Sequence, residues 1–383
     1  ARALLLRRTL DDDRALARSM AFAVRVFEVN GRPDEAAACA HDAVMILEAY
    51  PPSADLAYAV SQKAWLALMQ GVETVGSRTA ARALEIAEEV GDDLTKIRAL
   101  TVKGACEYSL GDNNAVALVE EAHRLAARSG HHFEETFALV NLTGMAGDVR
   151  DLERAADLVQ RTRATAARYE IRPLELYAQA QHAEFLTWTG DWTAAEDAAT
   201  EVLGADPHAE NVAWRLLGTI QARRGRSEAR EPLERMWSMA KAAGELQHMD
   251  PAAGALAEYM WLSGVEDPEW VHEIQEVFDH GMELGAPWPS GAFAFWWWKL
   301  SHLEEVPPRV SPFYRLIMEG HWQAAAEFWE SRGAPYDQAL ALMHGDDAAA
   351  TRALRILEHL GAVAAAARVR RTLLYRGVKV SRG

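Results

Sequence analysis

Residues able to do chemistry are plentiful in this 383-residue chain, but they are scattered. The nearest approach to a zinc spacing is His272-Glu273-Ile274-Gln275-Glu276, which puts glutamate where a second histidine is needed and reads as a solvated helix face. His131-His132 ahead of Glu134-Glu135 marks a helix start, where acidic residues meet the positive end of the helix dipole. The remaining carboxylates are spread as surface acids, with no pair in an apolar context that would raise a pKa. Phosphate-loop, dinucleotide-fold and nucleophile-elbow motifs are absent. The expectation is therefore a segment that is not an enzyme and has neither metal nor cofactor of its own. Cys39 and Cys106 sit far apart in helical patterns and read as reduced core thiols of a cytosolic protein.

One cluster stands out by composition. Trp288, Phe293, Phe295, Trp296, Trp297 and Trp298 fall within eleven residues. Successive helical residues turn by about 100°, so three adjacent tryptophans sweep about 200° of a helix surface. A single core-facing stripe cannot take all three. Either the helix is packed on two sides, or one ring faces a groove and could meet a sugar-like or apolar ligand, or a partner domain.

The elements that would position such residues are announced by punctuation. Apolar helices end in glycine at Gly31, Gly71, Gly111, Gly147, Gly190, Gly225, Gly264, Gly320 and Gly345. Successive spacings run from 35 to 43 residues as far as Gly264, and then lengthen to 56. That period belongs to arrays of helical hairpins of the tetratricopeptide type. Glycine is suited to the left-handed position after a helix. Aspartate follows it at Asp112, Asp148, Asp191 and Asp346, where it can cap the next helix. Asp206-Pro207, Asp250-Pro251, Asp267-Pro268 and Ser311-Pro312 give the same start signal with proline at the first helical position. No stretch alternates as a strand would. The expected fold is all-α, a superhelical α-solenoid of tetratricopeptide-like hairpins.

The helices that follow the glycines are alanine-rich, as in Trp192, Ala195, Ala199 and Val202, or Ala324, Ala325 and Phe328. Small residues at this spacing allow close helix approach. Helices that precede the glycines carry mixed faces, such as Tyr58, Gln62 and Trp65, or Gln179, His182, Glu184 and Trp188. In such arrays the first helix of each hairpin lines the concave surface. Candidate ligand- or partner-binding residues are therefore Gln62, Trp65, His182, Trp188, Trp296, Trp297 and Trp298.

Net charge is −16, which disfavours nucleic-acid binding by the bulk surface. From Gly361 onward, however, the only charges are Arg368, Arg370, Arg371, Arg376, Lys379 and Arg382, all positive. No apolar run approaches the ~20 residues that span a bilayer, and the opening ARALLLRRTLDDD is not a signal peptide. A start without methionine, inside a helical pattern, suggests a segment of a longer protein.

From Trp288 onward a family resemblance enters. It is carried by Pro287-Trp288-Pro-Ser-Gly291 leading to Phe295-Trp296-Trp297-Trp298, and by Gly320-His321-Trp322-Gln323-Ala324-Ala325-Ala326 with Trp329. Further matches are Gly333-Ala334-Pro335-Tyr336, Ala339-Leu340-Ala341-Leu342, Gly345-Asp346, Ala353-Leu354-Arg355-Ile356-Leu357 and Ala366-Ala367-Arg368-Val369-Arg370-Arg371. About a quarter of the chain resembles the helical sensor region of large ATP-binding LuxR-type transcriptional regulators, the signal-transduction NTPases related to the maltose regulator. The resemblance implies an ATPase module upstream, holding ATP, and a helix-turn-helix domain after Gly383. It also implies a sensor arm that binds a small-molecule inducer or a regulatory protein and controls oligomerisation. Ala334 stands where the family often has cysteine.

The expected organisation is 1–285 as degenerate hairpins, 286–360 as irregular aromatic-rich repeats, and 361–383 as a basic helix toward a DNA-binding neighbour. In this last segment Arg368, Arg370 and Arg371 would be DNA-proximal. The expected function is a cytoplasmic sensor or scaffold segment of such a regulator, gripping an inducer or regulatory partner in the concave groove. The alternative is a free-standing adaptor that binds peptides or proteins.

Overall fold

The computed structural model of the chain describes residues 2–7, 9, 12–283, 291–307 and 310–379. Among the described residues all regular elements are helices, and they fall into two compact units, Ala1–Met145 and Ala146–Gly383. The first unit holds α1 (Arg2–Arg7), α2 (Asp13–Val29), α3 (Pro33–Leu47), α4 (Ala54–Met69), α5 (Glu73–Val90), α6 (Asp93–Ser109) and α7 (Val116–Ser129). The division falls inside α8 (His132–Asp148). The second unit continues with α9 (Leu152–Arg168), α10 (Arg172–Thr189), α11 (Trp192–Thr200), α12 (Pro207–Arg223), α13 (Arg230–Ala243) and α14 (Leu246–Ser263). It ends with α15 (Pro268–Glu283), α16 (Gly291–Lys299), α17 (Pro312–Met318), α18 (Trp322–Ser331), α19 (Pro335–Leu342), α20 (Asp347–His359) and α21 (Val363–Tyr375).

Each unit is a stack of helical hairpins of the α-solenoid class. Burial separates the two helices of a hairpin. In α3 the buried residues Ala36, Cys39, Ala40, Ala43, Val44 and Leu47 form one stripe, the pattern of an outer helix. In α4 they run almost continuously, Leu56, Ala57, Ala59, Val60, Ser61, Gln62, Ala64, Trp65, Leu66 and Ala67, so this helix is enclosed on several sides. The first helices also pack on one another, α2 on α4, α4 on α6, α10 on α12, α12 on α14. Both thiols lie in this packing, and burial pushes the Cys106 pKa up to about 12.

Most of the expected punctuation does what its chemistry suggests. Asp191 and Asp346 cap α11 and α20 by accepting from the amides of Ala194 and Ala349. Asp206, ahead of Pro207, accepts from His208 and Ala209. Two glycines act differently. Gly147 lies within α8, and a Cβ there would come within 2.8 Å of the Trp188 ring. The chain leaves α8 through Arg150 at φ 52°, and Asp151, rather than Asp148, caps α9. Gly345 similarly makes room for Trp322 and Ala349. Pro251 is a further departure, because it sits inside α14, whose first residue is Leu246.

The boundary expected at 285 falls among residues outside the description, as do Trp288 and Arg382. On either side of it, α14 packs against both α15 and α16. Near 360 packing is continuous, since α21 rests on α20, α12 and α14, while α19 reaches α10. The C-terminal helices thus cover the ends of the earlier first helices. Leu360 meets Gly190, Val363 meets Gly225 and Arg368 meets Gly264.

Gly190 combines φ 89° with Leu360 only 2.5 Å from where a Cβ would sit. Gly244 has φ 68° and open space. Gly190→Ala should therefore cost roughly 2–3 kcal/mol, against about 1 kcal/mol for Gly244→Ala, which carries backbone strain alone. Urea unfolding of the two variants measures the difference, and equal midpoints would show that Leu360 yields freely.

Candidate functional site

In the first unit the residues Tyr58, Gln62 and Trp65, expected in the groove, come together around an arginine that nothing in the local sequence marks. Arg25, on α2, donates from Nε to Oε1 of Gln62 at 3.2 Å. Its guanidinium carbon lies 4.8 Å from the centre of the Trp65 ring and 5.8 Å from those of Phe133 and Phe137 on α8. Gln62 and Trp65 are themselves buried, so they form the floor of the site and Arg25 its surface. Because α2 and α8 are separated in sequence by two hairpins, an arginine that touches both shows a tightly curved inner face.

The surroundings of Arg25 are polarised. A second cation, Arg98, lies over Tyr58 at 5.0 Å and is held by Glu134 at 2.6 Å. Glu134 is buried in this pair and so does more than favour the start of α8. Arg25 has no such partner, and among the described residues no carboxylate stands within ion-pair distance of it. Burial and the neighbouring Arg98 push its pKa below the ordinary arginine value. Phe22 and Val26 share its helix face and are 69% and 57% exposed, and Phe133 is 39% exposed. Phe22 approaches Tyr58, with ring centres 5.8 Å apart. The arrangement is a guanidinium with no direct ion pair, acted on by Glu134 and Glu28 only from a distance and framed by accessible apolar surface.

The other candidates lie elsewhere. Trp188 is half-buried on α10, packed over Gly147 and under the Arg150 guanidinium at 4.1 Å. His182 stacks on Phe185 with ring centres 6.3 Å apart, and burial followed by Arg163 lowers its pKa. Trp296 and Trp297 are core residues and face no groove. Trp296 packs on Trp261, while Trp297 donates to Gln275 at 3.1 Å and stacks on His302. Trp298 is half-buried beside Phe295 and His344. Two-sided packing of α16 accounts for the tryptophan run.

The basic helix also turns much of its charge inward. Arg368 lies over Trp261 at 4.5 Å, and Arg370 pairs with Glu358. Arg376 bonds the Gly345 carbonyl at 3.1 Å. Arg371 is exposed. Of the three residues expected next to DNA, Arg368 is thus engaged in packing on α14, and Arg370 in a partly exposed ion pair with α20.

Lys299 ends α16 inside this aromatic region. Its Nζ is 4.8 Å from the centre of the Trp261 ring and 3.0 Å from Nε2 of His344. Burial, reinforced by Arg368, brings its pKa down to about 7, and burial with Lys299 brings that of His344 to about 3. Two cations against one indole leave the lysine amine easily deprotonated. Groups that could hold a metal ion occur together at His208, Glu245 and His248.

No family model matches the chain, and no curated protein matches it. Among solved structures, it resembles a Rap protein complexed with competence and sporulation factor, with a TM-score of 0.53 and 16% identity over 94% of this chain and 97% of that one. At that identity the likeness concerns the helical-repeat fold alone. A circular tandem repeat protein with a novel repeat topology aligns over 95% of this chain and 91% of its own, with 13% identity. Its TM-score of 0.23 is too low to carry a shared arrangement.

Lys299 yields a prediction with a definite sign. Below pH 7 the native and unfolded chains both hold the proton, and the fold bears the full cost of burying it. Between about 7 and its ordinary value near 10.4 only the unfolded chain is protonated, so native stability climbs with pH. Lys299→Met should thus stabilise the protein at pH 6.5 by on the order of 2 kcal/mol, with the gain shrinking by pH 9.5. Urea midpoints at the two pH values read this directly, and an equal gain at both would contradict a depressed Lys299.

Proposed function

We propose that this chain is a peptide- or protein-binding helical-repeat module, and that the inner face of its first unit grips a short segment of its partner. The observation that carries the reading is Arg25, a half-buried guanidinium with Gln62, Trp65, Phe133 and Phe137 around it and no carboxylate of its own. A partner's carboxylate, from an aspartate, a glutamate or a chain end, would complete the charge-assisted hydrogen bonds that the guanidinium is free to make. An apolar side chain beside it would cover Phe22, Val26 and Phe133. The chain in this reading recognises and does not catalyse, and it needs no cofactor. The Rap protein of like fold was solved with a bound factor, which supports partner recognition as a use of such a stack.

A second reading keeps the module inside a LuxR-type ATP-dependent transcriptional regulator, as the sensor arm between an ATPase and a helix-turn-helix domain. The C-terminal motif string from Gly320 to Arg371 supports it, and exposed Arg371 and Lys379 remain available to a neighbour. Arg368 and Arg370, by contrast, are engaged within the unit. Parent sequence running past Gly383 into a helix-turn-helix would favour this version, in which an inducer or regulatory protein takes the peptide's place.

The groove reading is tested with short synthetic peptides that pair Asp or Glu with Phe or Leu at several spacings, each alongside its Asn or Gln counterpart. Fluorescence anisotropy should show the carboxylate members binding roughly tenfold or more tighter than their amides, the range of a charge-assisted bond. Arg25→Gln should erase that preference, and Arg371→Gln should leave it intact. Wild-type protein that ignores the carboxylate, or an Arg25→Gln variant that still prefers it, would overturn the assignment.

A further inference from the structure

We infer that His208, Glu245 and His248 form a binding site for a borderline divalent transition-metal ion such as Zn²⁺, joining two successive hairpins of the second unit. His208 Nδ1 and His248 Nε2 face one another at 3.1 Å. The same Nε2 lies 3.3 Å from a carboxylate oxygen of Glu245. One ligand atom from each residue fits within 4.8 Å of the other two. A tetrahedral ion with bonds of about 2.0–2.1 Å separates its ligand atoms by about 3.3 Å, close to both of these separations. One ring nitrogen directed at two heteroatoms holds a single proton at most, whereas an ion placed among the three would engage all of them.

The elements that bring these residues together are the repeats themselves. His208 is the second residue of α12 and His248 the third of α14, 40 residues apart, which is one hairpin period. Glu245 occupies the N-cap position of α14, yet its carboxylate makes no capping bond there; it takes up Gln247 Nε2 beside His248. Glu245 and His248 are buried, while His208 is half-buried, so the side toward His208 leaves a fourth position for water. Two imidazole nitrogens and one carboxylate oxygen suit Zn²⁺ or Co²⁺ rather than Mg²⁺ or Ca²⁺, which prefer all-oxygen shells.

The charges around the cluster leave room for a cation. Arg215 stands near His248, but its charge is held by Glu184 at 2.6 Å. The positive ends of α12 and α14 oppose a cation weakly, and direct ligation by three side chains outweighs them.

The test uses the full chain, stripped of metal by chelation and titrated with Zn²⁺ by calorimetry. One Zn²⁺ per chain should bind with at least micromolar affinity and raise the melting temperature, as ligation of the native state alone requires. Co²⁺ should give the intense visible bands of a tetrahedral site, and Mg²⁺ no response. His208→Asn, Glu245→Gln and His248→Gln should each weaken Zn²⁺ binding by about tenfold or more. Far-ultraviolet dichroism of the metal-free variants identifies any that fail to fold. His208→Asn, at the most exposed of the three positions, then decides alone. Absence of saturable Zn²⁺ binding to the wild type, or binding undiminished in a folded His208→Asn variant, would overturn the inference.

Discussion

Everything in this protein depends on helices being allowed to approach closely. A Cβ placed on Gly76 would lie 2.6 Å from Sγ of Cys106, one on Gly104 2.6 Å from Val119, and one on Gly218 2.6 Å from Leu233. Between these points the seams are lined by buried alanines, such as Ala80, Ala83 and Ala87 on α5. With so little side chain between the backbones, dispersion contacts extend along each hairpin and its neighbour. The first helices become enclosed on several sides, which fixes which of their residues can reach the inner face. Arg25 reaches across to α8 because its own helix and the next two are drawn into one tight curve.

The second unit uses that same curvature differently. Its C-terminal helices return onto α10, α12 and α14, and the junction is rich in arginine and aromatic rings. Arg223, the last residue of α12, forks onto both oxygens of Glu258 at 2.7 and 3.0 Å and lies 4.0 Å from the centre of the Tyr336 ring. Burial pulls its pKa down, yet Glu258 beside it prevails and raises it above the ordinary value. Cations at the ends of α12 and α16 also suit the negative pole of a helix. At Arg223 the chain supplies the counter-ion itself, whereas Lys299 and Arg368 in the same junction rest on the Trp261 ring.

The fold was legible because its determinants are local and periodic. Glycine-aspartate punctuation at Gly190-Asp191 and Gly345-Asp346 marks helix starts directly, and the ~40-residue spacing supplies the array. What misled were residues whose role is set by distant neighbours. Gly147 looks like a helix stop but is a seat for Trp188, and Asp250-Pro251 looks like a start but lies within α14. The tryptophans at 296–298 announce an unusual helix, but which rings are covered depends on α14 and α17, far from them in sequence. For the groove, Gln62 and Trp65 were visible as a mixed face, while Arg25 was not. Its signal was there in Phe22, Arg25 and Val26 at helical spacing, and in Phe133 and Phe137 four apart, but nothing local says these two stripes meet. His208 and His248 were hidden for the opposite reason: metal-ligand spacings are usually sought within one turn or loop, and these lie a whole period apart.

The contrast between Arg25 and the glutamate-paired Arg98 and Arg223 is what the proposed recognition rests on. Arg98 and Arg223 are each joined to a buried glutamate, and removing either partner would strand a charge. Arg25 has aromatic faces and a single amide oxygen, which soften its desolvation but do not neutralise it. On a chain of net charge −16 acids are abundant, and Glu134 and Glu28 act on Arg25 from a distance, yet neither pairs with it directly. The long-range field of such a chain repels an acidic visitor, but over more than about 8 Å it is screened at physiological salt, and contact with Arg25 is made well inside that distance. Under the proposed function, partners would therefore be sorted at the groove itself, by whether they bring a carboxylate to the guanidinium together with enough apolar surface for Phe22 and Phe133.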